Sequence, residues 1–296
     1  MPWQSSKQRD MKRIRANGIG FACIEQGDGP PVLLLHGFPD IPASWNHQMS
    51  ALAATGYRAV APYLRGYPPT DIPPGGYYDK ATLAQDVAAL IEKLDGGRPV
   101  HLIGQDWGAI VTYAVIAAFP ELVRRAVVMA IPHPTQTAKS LLDPKHVQRS
   151  FHWWFFQMAD LPERALAADD FAFVDYLWSL WSSSDFRDVE HIAQVKRTLA
   201  QPGALSAALA YYRAMFDPRN GDPRLDAVRA AMQRPIAVPT LALCGAEDLR
   251  AELMVDQAQY FVGEYRFELV AGAGHFLHRE KPAEVTPLLL DWLGKP

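Results

Sequence analysis

Three short runs that are largely apolar, Val32-Leu33-Leu34-Leu35, Val100 to Ile103 and Thr240 to Cys244, each lead directly into a glycine-containing turn. This feature constrains the fold most. A strand with one wet face alternates apolar and polar residues, whereas continuous apolar character marks a strand covered on both faces, the signature of a mainly parallel sheet between helices. The segments between the runs agree. Tyr57 to Ala61, Arg125 to Ile131 and Arg266 to Val270 are strand-like, and Leu83, Val87, Leu90, Ile91 and Leu94 recur at helical spacing. Gly108 to Phe119 reads as an apolar helix and Ala283 to Leu293 as an amphipathic one. Ahead of them, two short strand-like stretches between Lys12 and Gln26 surround Gly18 and Gly20, and Gly27-Asp28-Gly29-Pro30 turns the chain into the first buried run.

The alternation breaks once. From about Pro134 to about Gln233 the pattern is helical throughout and crowded with aromatics, including Trp153, Trp154, Phe155, Phe156, Tyr176, Trp178 and Trp181. The outer segments therefore predict one α/β core, residues 1–133 and 234–296, with an all-helical cap, 134–233, inserted between its strands. A chain of 296 residues with 49% hydrophobic content supports a core of that size.

A net charge of −3 with 21% charged residues gives no general attraction to nucleic acid or to an anionic membrane surface, and neither is expected as a partner. The longest apolar stretches are too short to span a bilayer. The two cysteines, Cys23 and Cys244, each lie inside an apolar strand-like run and read as buried thiols, and no zinc-ligand spacing occurs. Met1 to Arg15 mixes charges without an apolar stretch, so neither a signal nor a transit peptide is expected and a cytoplasmic enzyme is the default.

Chemistry concentrates at the strand ends. Gly104-Gln105-Asp106-Trp107-Gly108-Ala109 falls between a buried strand and an apolar helix, the setting of a Gly-x-nucleophile-x-Gly elbow. Small residues are needed there because the nucleophile occupies a tight turn against the neighbouring strand and helix. Alone, an aspartate at a strand-to-helix junction is more often a helix N-cap. Three further strand ends add to it: His36-Gly37-Phe38-Pro39 offers a turn whose Phe38 N–H could join that of Trp107 in an oxyanion hole, Gly245-Ala246-Glu247-Asp248 places a carboxylate, and Ala273-Gly274-His275 places an imidazole. The order nucleophile, acid, histidine is that of the α/β-hydrolases.

These pieces, with Glu280-Lys281-Pro282, resemble the α/β-hydrolase superfamily, and within it the branch with an aspartate nucleophile: epoxide hydrolases, haloalkane dehalogenases and fluoroacetate dehalogenases. The resemblance runs from about Ile14 to Leu293. It implies an eight-stranded, mostly parallel sheet with a helical cap, no metal and no cofactor. It also implies a two-step reaction in which Asp106 attacks saturated carbon and His275, oriented by Asp248, activates the water that hydrolyses the ester. A carboxylate suits the first step because, with a pKa of about 3.9, it is already ionised at neutral pH.

The leaving group is set by the cap. An epoxide oxygen needs O–H or N–H donors as it becomes an alkoxide. Tyr212, in Ala210-Tyr211-Tyr212-Arg213, stands at the position of a ring-opening tyrosine of epoxide hydrolases, and aligning Phe155-Phe156-Gln157 puts His152 at the second donor position, with Trp153 as the alternative group facing the pocket. Phe38, Trp107 and Trp153 are the predicted substrate contacts. Trp107 also matches the halide-binding indole of haloalkane dehalogenases, and Trp153, Trp154 and Trp178 are candidates for a second one. Fluoroacetate dehalogenases carry arginines just after the aspartate, where this chain has Trp107 and Ile110, which disfavours an anionic substrate, and the aromatic cap suggests an apolar one. The expectation is hydrolysis of a small or medium apolar epoxide to a diol, with haloalkane dehalogenation as the alternative. A non-catalytic member binding a small apolar ligand is the remote one.

Overall fold

The computed structural model describes residues 10–295, so Met1 to Arg9 of the N-terminal expectation lie outside the described residues. Strands β1 (Asp10–Ala16) and β2 (Ile19–Gln26) form a hairpin whose turn, Asn17-Gly18, takes positive φ at both positions, 43° and 80°. Gly20 lies inside β2 rather than in the turn; a Cβ there would come within 2.7 Å of the Arg13 guanidinium.

Strands β3 (Pro31–Leu35), β4 (Arg58–Pro62), β5 (Val100–Gln105), β6 (Val123–Met129), β7 (Thr240–Gly245) and β8 (Tyr265–Val270) complete an eight-stranded sheet of order β1-β2-β4-β3-β5-β6-β7-β8. From β4 to β8 every pairing is parallel. The sixth strand stops two residues earlier than its apolar run suggested, because Ala130 turns to φ 63° and leads the chain off the sheet.

Three helices intervene in the first half: α1 (Asn46–Ala54), α2 (Lys80–Asp95) and α3 (Trp107–Ala118). Between β6 and β7 the described chain is helical only: α4 (Pro134–Ser140), α5 (Pro144–Arg149), α6 (Phe151–Phe155), α7 (Leu161–Ala167), α8 (Ala172–Trp181), α9 (Val189–Leu199), α10 (Ala204–Phe216) and α11 (Asp226–Ala231). Short α12 (Ala251–Met254) and α13 (Leu277–Glu280) and the longer α14 (Pro282–Leu293) follow.

Burial on two faces explains the continuous apolar strands. Leu33, Leu35 and Leu102 pack with Val87 and Ile91 of α2 and Val111 and Val115 of α3. Their neighbours Val32, Leu34 and Ile103 point to the opposite face, against Met49 and Leu52 of α1 and Leu289 and Trp292 of α14. Helix α2 is bounded as its sequence dictates: the Asp79 side chain accepts from Ala81 N–H at its start, and Gly96, at φ 64°, ends it.

The strand order reverses direction about β3, whose neighbours are β4 and β5. In an open parallel sheet, the crevice at the carboxyl ends beside such a reversal is where ligands bind. The turns after β3 and β5 carry Phe38 and Asp106.

Candidate active site

The chain reverses at Asp106, with φ 51° and ψ −120°, and enters α3 one residue later. Glycines make the reversal possible. A Cβ on Gly104 would lie 2.2 Å from the Gly108 carbonyl oxygen, one on Gly108 2.1 Å from that of Leu35, and one on Gly37 2.4 Å from Asp106 Cβ. The Asp106 side chain does not cap α3, which removes the N-cap reading. Its Oδ1 instead accepts a 2.8 Å hydrogen bond from the Phe38 backbone N–H, delivered by the turn after β3 in which the Phe38–Pro39 peptide is cis.

Asp248 and His275 leave the ends of β7 and β8 and meet Asp106. His275 Nδ1 is 2.7 Å from Asp248 Oδ2, and its Nε2 is 3.4 Å from Asp106 Oδ2. The second Asp248 oxygen accepts from the Arg250 N–H at 2.7 Å. Glu247, the neighbouring carboxylate, is exposed. The close approach of the two loops depends on Gly245, where a Cβ would stand 2.1 Å from the Gly274 carbonyl oxygen. Burial alone would hold the His275 pKa down, but Asp248 and then Asp106 outweigh it and raise it to about 9. The imidazole at neutral pH is thus a cation between two carboxylates.

Tyr212 of α10 and His152 of α6 come together above this group, ring centroids 5.6 Å apart. The Tyr212 ring also meets Trp107 at 5.2 Å, Phe38 at 5.4 Å and Phe156 at 5.1 Å. Tyr212 Oη, His152 Nδ1, His275 Nε2 and the Trp181 indole nitrogen are all buried without a hydrogen-bond partner among the described residues. Burial, reinforced by Asp106, pushes the Tyr212 hydroxyl well above its ordinary value of 10, so it stays protonated. Burial, then Arg250 and His275, hold His152 well below 6.5, so it is a neutral imidazole.

Of the predicted substrate contacts, Phe38 and Trp107 turn their rings to Tyr212. Trp153 packs elsewhere, with Phe216 at 6.3 Å and the Arg250 guanidinium 5.0 Å over its ring. The candidate halide-binding tryptophans also sort themselves: Trp154 is partly exposed against Phe216, and the Trp178 indole donates to the Pro39 carbonyl at 2.9 Å. Among the described residues, no group of three or more His, Cys, Asp or Glu is placed to hold a metal ion, and no helix is long and apolar enough to cross a membrane.

The supporting roles of three residues escaped the sequence reading. Trp181 accepts the His275 backbone N–H on its carbonyl at 2.7 Å and lays its ring 4.8 Å from His152. Glu280 gathers the backbone N–H groups of Gly274, Phe276 and Ser183, fixing the histidine loop to the helical insertion. Asp40 is wholly buried, accepting from Ile41 N–H and the Ser44 hydroxyl and facing His191 of α9 at 2.6 Å. The only signal for Asp40 was its place next to the His-Gly-Phe-Pro turn.

The family model described as alpha/beta hydrolase fold matches residues 30–282. The chain is 31% identical over 288 residues to the AB hydrolase superfamily protein YfhM of Bacillus subtilis, covering 95% of this chain and 96% of that one. It is 30% identical to Epoxide hydrolase 4 of Mus musculus, covering 95% of this chain and 78% of the relative. Among solved structures, Epoxide Hydrolase A from Mycobacterium thermoresistibile superimposes with a TM-score of 0.82 at 26% identity, over 97% of this chain and 98% of that one.

Proposed function

The chain belongs to the α/β-hydrolase fold family and is a hydrolase, and from that premise we propose that it opens an apolar epoxide to a vicinal diol through an ester on Asp106. The observation that carries this reading is the meeting of two buried, unpartnered groups, the Tyr212 hydroxyl and the His152 ring, beside Asp106 and His275. A buried polar group without a partner is costly, and an epoxide oxygen would satisfy both donors.

Asp106 Oδ1 is tied to Phe38 N–H, which leaves Oδ2 to attack the oxirane carbon. The carbon–oxygen bond breaks toward the oxygen, which accepts hydrogen bonds from Tyr212 and His152 and takes up the tyrosine proton. Tyr212 suits this role because burial keeps it protonated. Ester formation removes the charge of Asp106, so His275 loses one of the two carboxylates that raise its pKa. Its proton then passes to the tyrosinate. The neutral Nε2 next deprotonates a water that adds to the ester carbonyl, and the oxyanion is held by the N–H groups of Phe38 and Trp107. Collapse releases the diol and the Asp106 carboxylate. The insertion over the strand ends acts as the cap, residues 134–233 as read from the sequence, and excludes bulk water. The scheme uses side chains and water only.

The test is to trap the ester. With styrene oxide, His275→Gln is expected to gain the mass of one substrate and lose turnover, while Asp106→Asn gains nothing. An inactive His275→Gln protein that stays unmodified under these conditions would reject the two-step scheme.

The unpartnered indole N–H of Trp181 favours one second reading, displacement of halide from a haloalkane. Halide release from a short bromoalkane, measured beside diol formation from styrene oxide, separates the two.

A further inference from the structure

The turn that carries Phe38 is closed by Asp40, whose N–H donates to the Gly37 carbonyl at 3.2 Å. The Asp40 carboxylate is fully buried and accepts from the Ile41 N–H at 2.8 Å and the Ser44 hydroxyl at 2.6 Å. With its proton on Asp40, Ser44 Oγ can only accept from His278 Nε2, 2.7 Å away. Burial lowers the His278 pKa to about 3, so that imidazole is neutral. The partners that Asp40 draws from outside the insertion are thus uncharged.

The positive charge comes from the insertion. His191, in the first turn of α9 and 3% exposed, stands with Nε2 2.6 Å from Asp40 Oδ1. Burial would raise the Asp40 pKa, but His191 leads the neighbours that together lower it to about 2. An ionised carboxylate only accepts, so His191 Nε2 carries the proton between them. Taking a carboxylate out of water costs several kcal/mol unless such a partner compensates it. The same stretch of the insertion holds the turn at further points. Asp188 accepts from the His191 N–H at 3.1 Å and from Arg279 Nε at 3.0 Å, and Arg279 donates on to the Ala43 and Ser44 carbonyls. Trp178 holds Pro39. Among the described residues His191 pairs with Asp40 and not with Asp106, so its influence on the reaction passes through the turn.

We propose that His191 is a positioning residue for the hydrolytic half of the reaction: by compensating Asp40 it holds the turn whose Phe38 N–H receives the oxyanion. The inference rests on the epoxide reading above and goes beyond it by giving the start of α9 a part in ester breakdown. The two steps depend on the turn unequally. During ester formation the Phe38 N–H faces a carboxylate that is losing its charge, and its bond weakens toward the transition state. During ester breakdown the same donor faces an oxygen that gains a full charge, so its placement counts there.

Rapid-quench mass spectrometry with styrene oxide reads formation and decay of the ester separately. His191→Leu is expected to slow decay by roughly tenfold or more and to leave formation within about threefold of wild type, so that ester accumulates. His191→Gln keeps an N–H donor near the Nε2 position and should recover most of the decay rate. Asp40→Asn, which removes the charge and keeps the shape, should also slow decay selectively, and adding His191→Leu to it should slow decay no further. Should His191→Leu fail to fold, that pair of variants, with no buried charge left unpaired, is read in the same way. Decay at the wild-type rate, formation and decay slowed alike, or further slowing in the double variant overturns the proposal. The Phe38 amide proton gives a readout without turnover. Its bond to the Asp106 carboxylate draws its resonance downfield, and it should move upfield in His191→Leu and return in His191→Gln. An unmoved resonance overturns the proposal, whereas the expected movement in a protein that forms no ester would reject the epoxide reading and leave the role of His191 in holding the turn standing.

Discussion

Asp106 sits at φ 51° in a region that a side chain adopts only under constraint, at a cost of order 1–3 kcal/mol supplied by the packing of the sheet ends around it. The strain holds one carboxylate oxygen on Phe38 N–H and the other toward His275. Tyr212 is the residue whose removal tests the leaving-group chemistry most directly: Tyr212→Phe is expected to lower kcat/KM for styrene oxide by roughly a hundredfold, as loss of a positioned acid does. An activity within threefold of wild type would remove Tyr212 from the reaction. His275 yields a second prediction through stability. Its folded pKa of about 9 lies above the unfolded 6.5, so its contribution is complete below about pH 6.5 and is lost as pH rises to about 9. Urea midpoints measured across that interval should fall for the wild type and change less for His275→Gln. That Asp106, Asp248 and His275 meet was legible because each follows the end of its own strand. The direction of the cap side chains was not, since His152 and Trp153 occupy neighbouring positions on one short helix and only tertiary contact turns one ring to Tyr212 and the other to Phe216 and Arg250.

At the level of elements, the site is a meeting of loops that glycine alone permits. Gly245→Ala places a methyl group 2.1 Å from the Gly274 carbonyl oxygen, so the ends of β7 and β8 must part and carry Asp248 away from His275. The expected result is at least a tenfold loss of kcat with a lowered melting temperature; a variant with wild-type kinetics would show that the loops have slack. Helix α8 is fixed differently, by the Trp178 ring stacked 3.5 Å from that of Phe276 and by its bond to Pro39. Trp178→Phe keeps an aromatic ring for the stack and removes the bond, for an expected cost of about 1 kcal/mol, whereas Trp178→Ala should cost about 3–5 kcal/mol in denaturant titration. The strands and the core helices α2, α3 and α14 were readable from periodicity within about three residues, whereas α1 was not read. The breaks inside the insertion were not: Asp169, Asp170 and Phe171 run through three successive left-handed positions without a glycine, so nothing in their composition announces the corner between α7 and α8.

For the molecule as a whole, histidines that burial holds neutral set the acid limit, His152 among them. Burial is the leading cause that lowers His36, His101 and His133 to about 4 and His278 to about 3. Folded values below the unfolded 6.5 mean that their stabilisation is present above about pH 6.5 and is lost as pH falls through the folded values. His101 packs edge-on to Tyr57 and leaves its Nδ1 unpartnered, so His101→Phe should keep the packing and remove the titration. Its melting temperature is expected to drop less than that of the wild type between about pH 7.5 and about pH 5, and an equal drop would assign the acid sensitivity elsewhere. One further consequence concerns motion. The backbone N–H of His275 is held by the carbonyl of Trp181, at the end of α8 in the insertion. In the proposed reaction, lifting that helix to admit substrate or release diol would expose this amide to solvent while the sheet beneath stays closed. Its hydrogen exchange, measured residue by residue, is a clock for opening of the lid, distinct from the far slower exchange of β5 that reports unfolding of the whole chain.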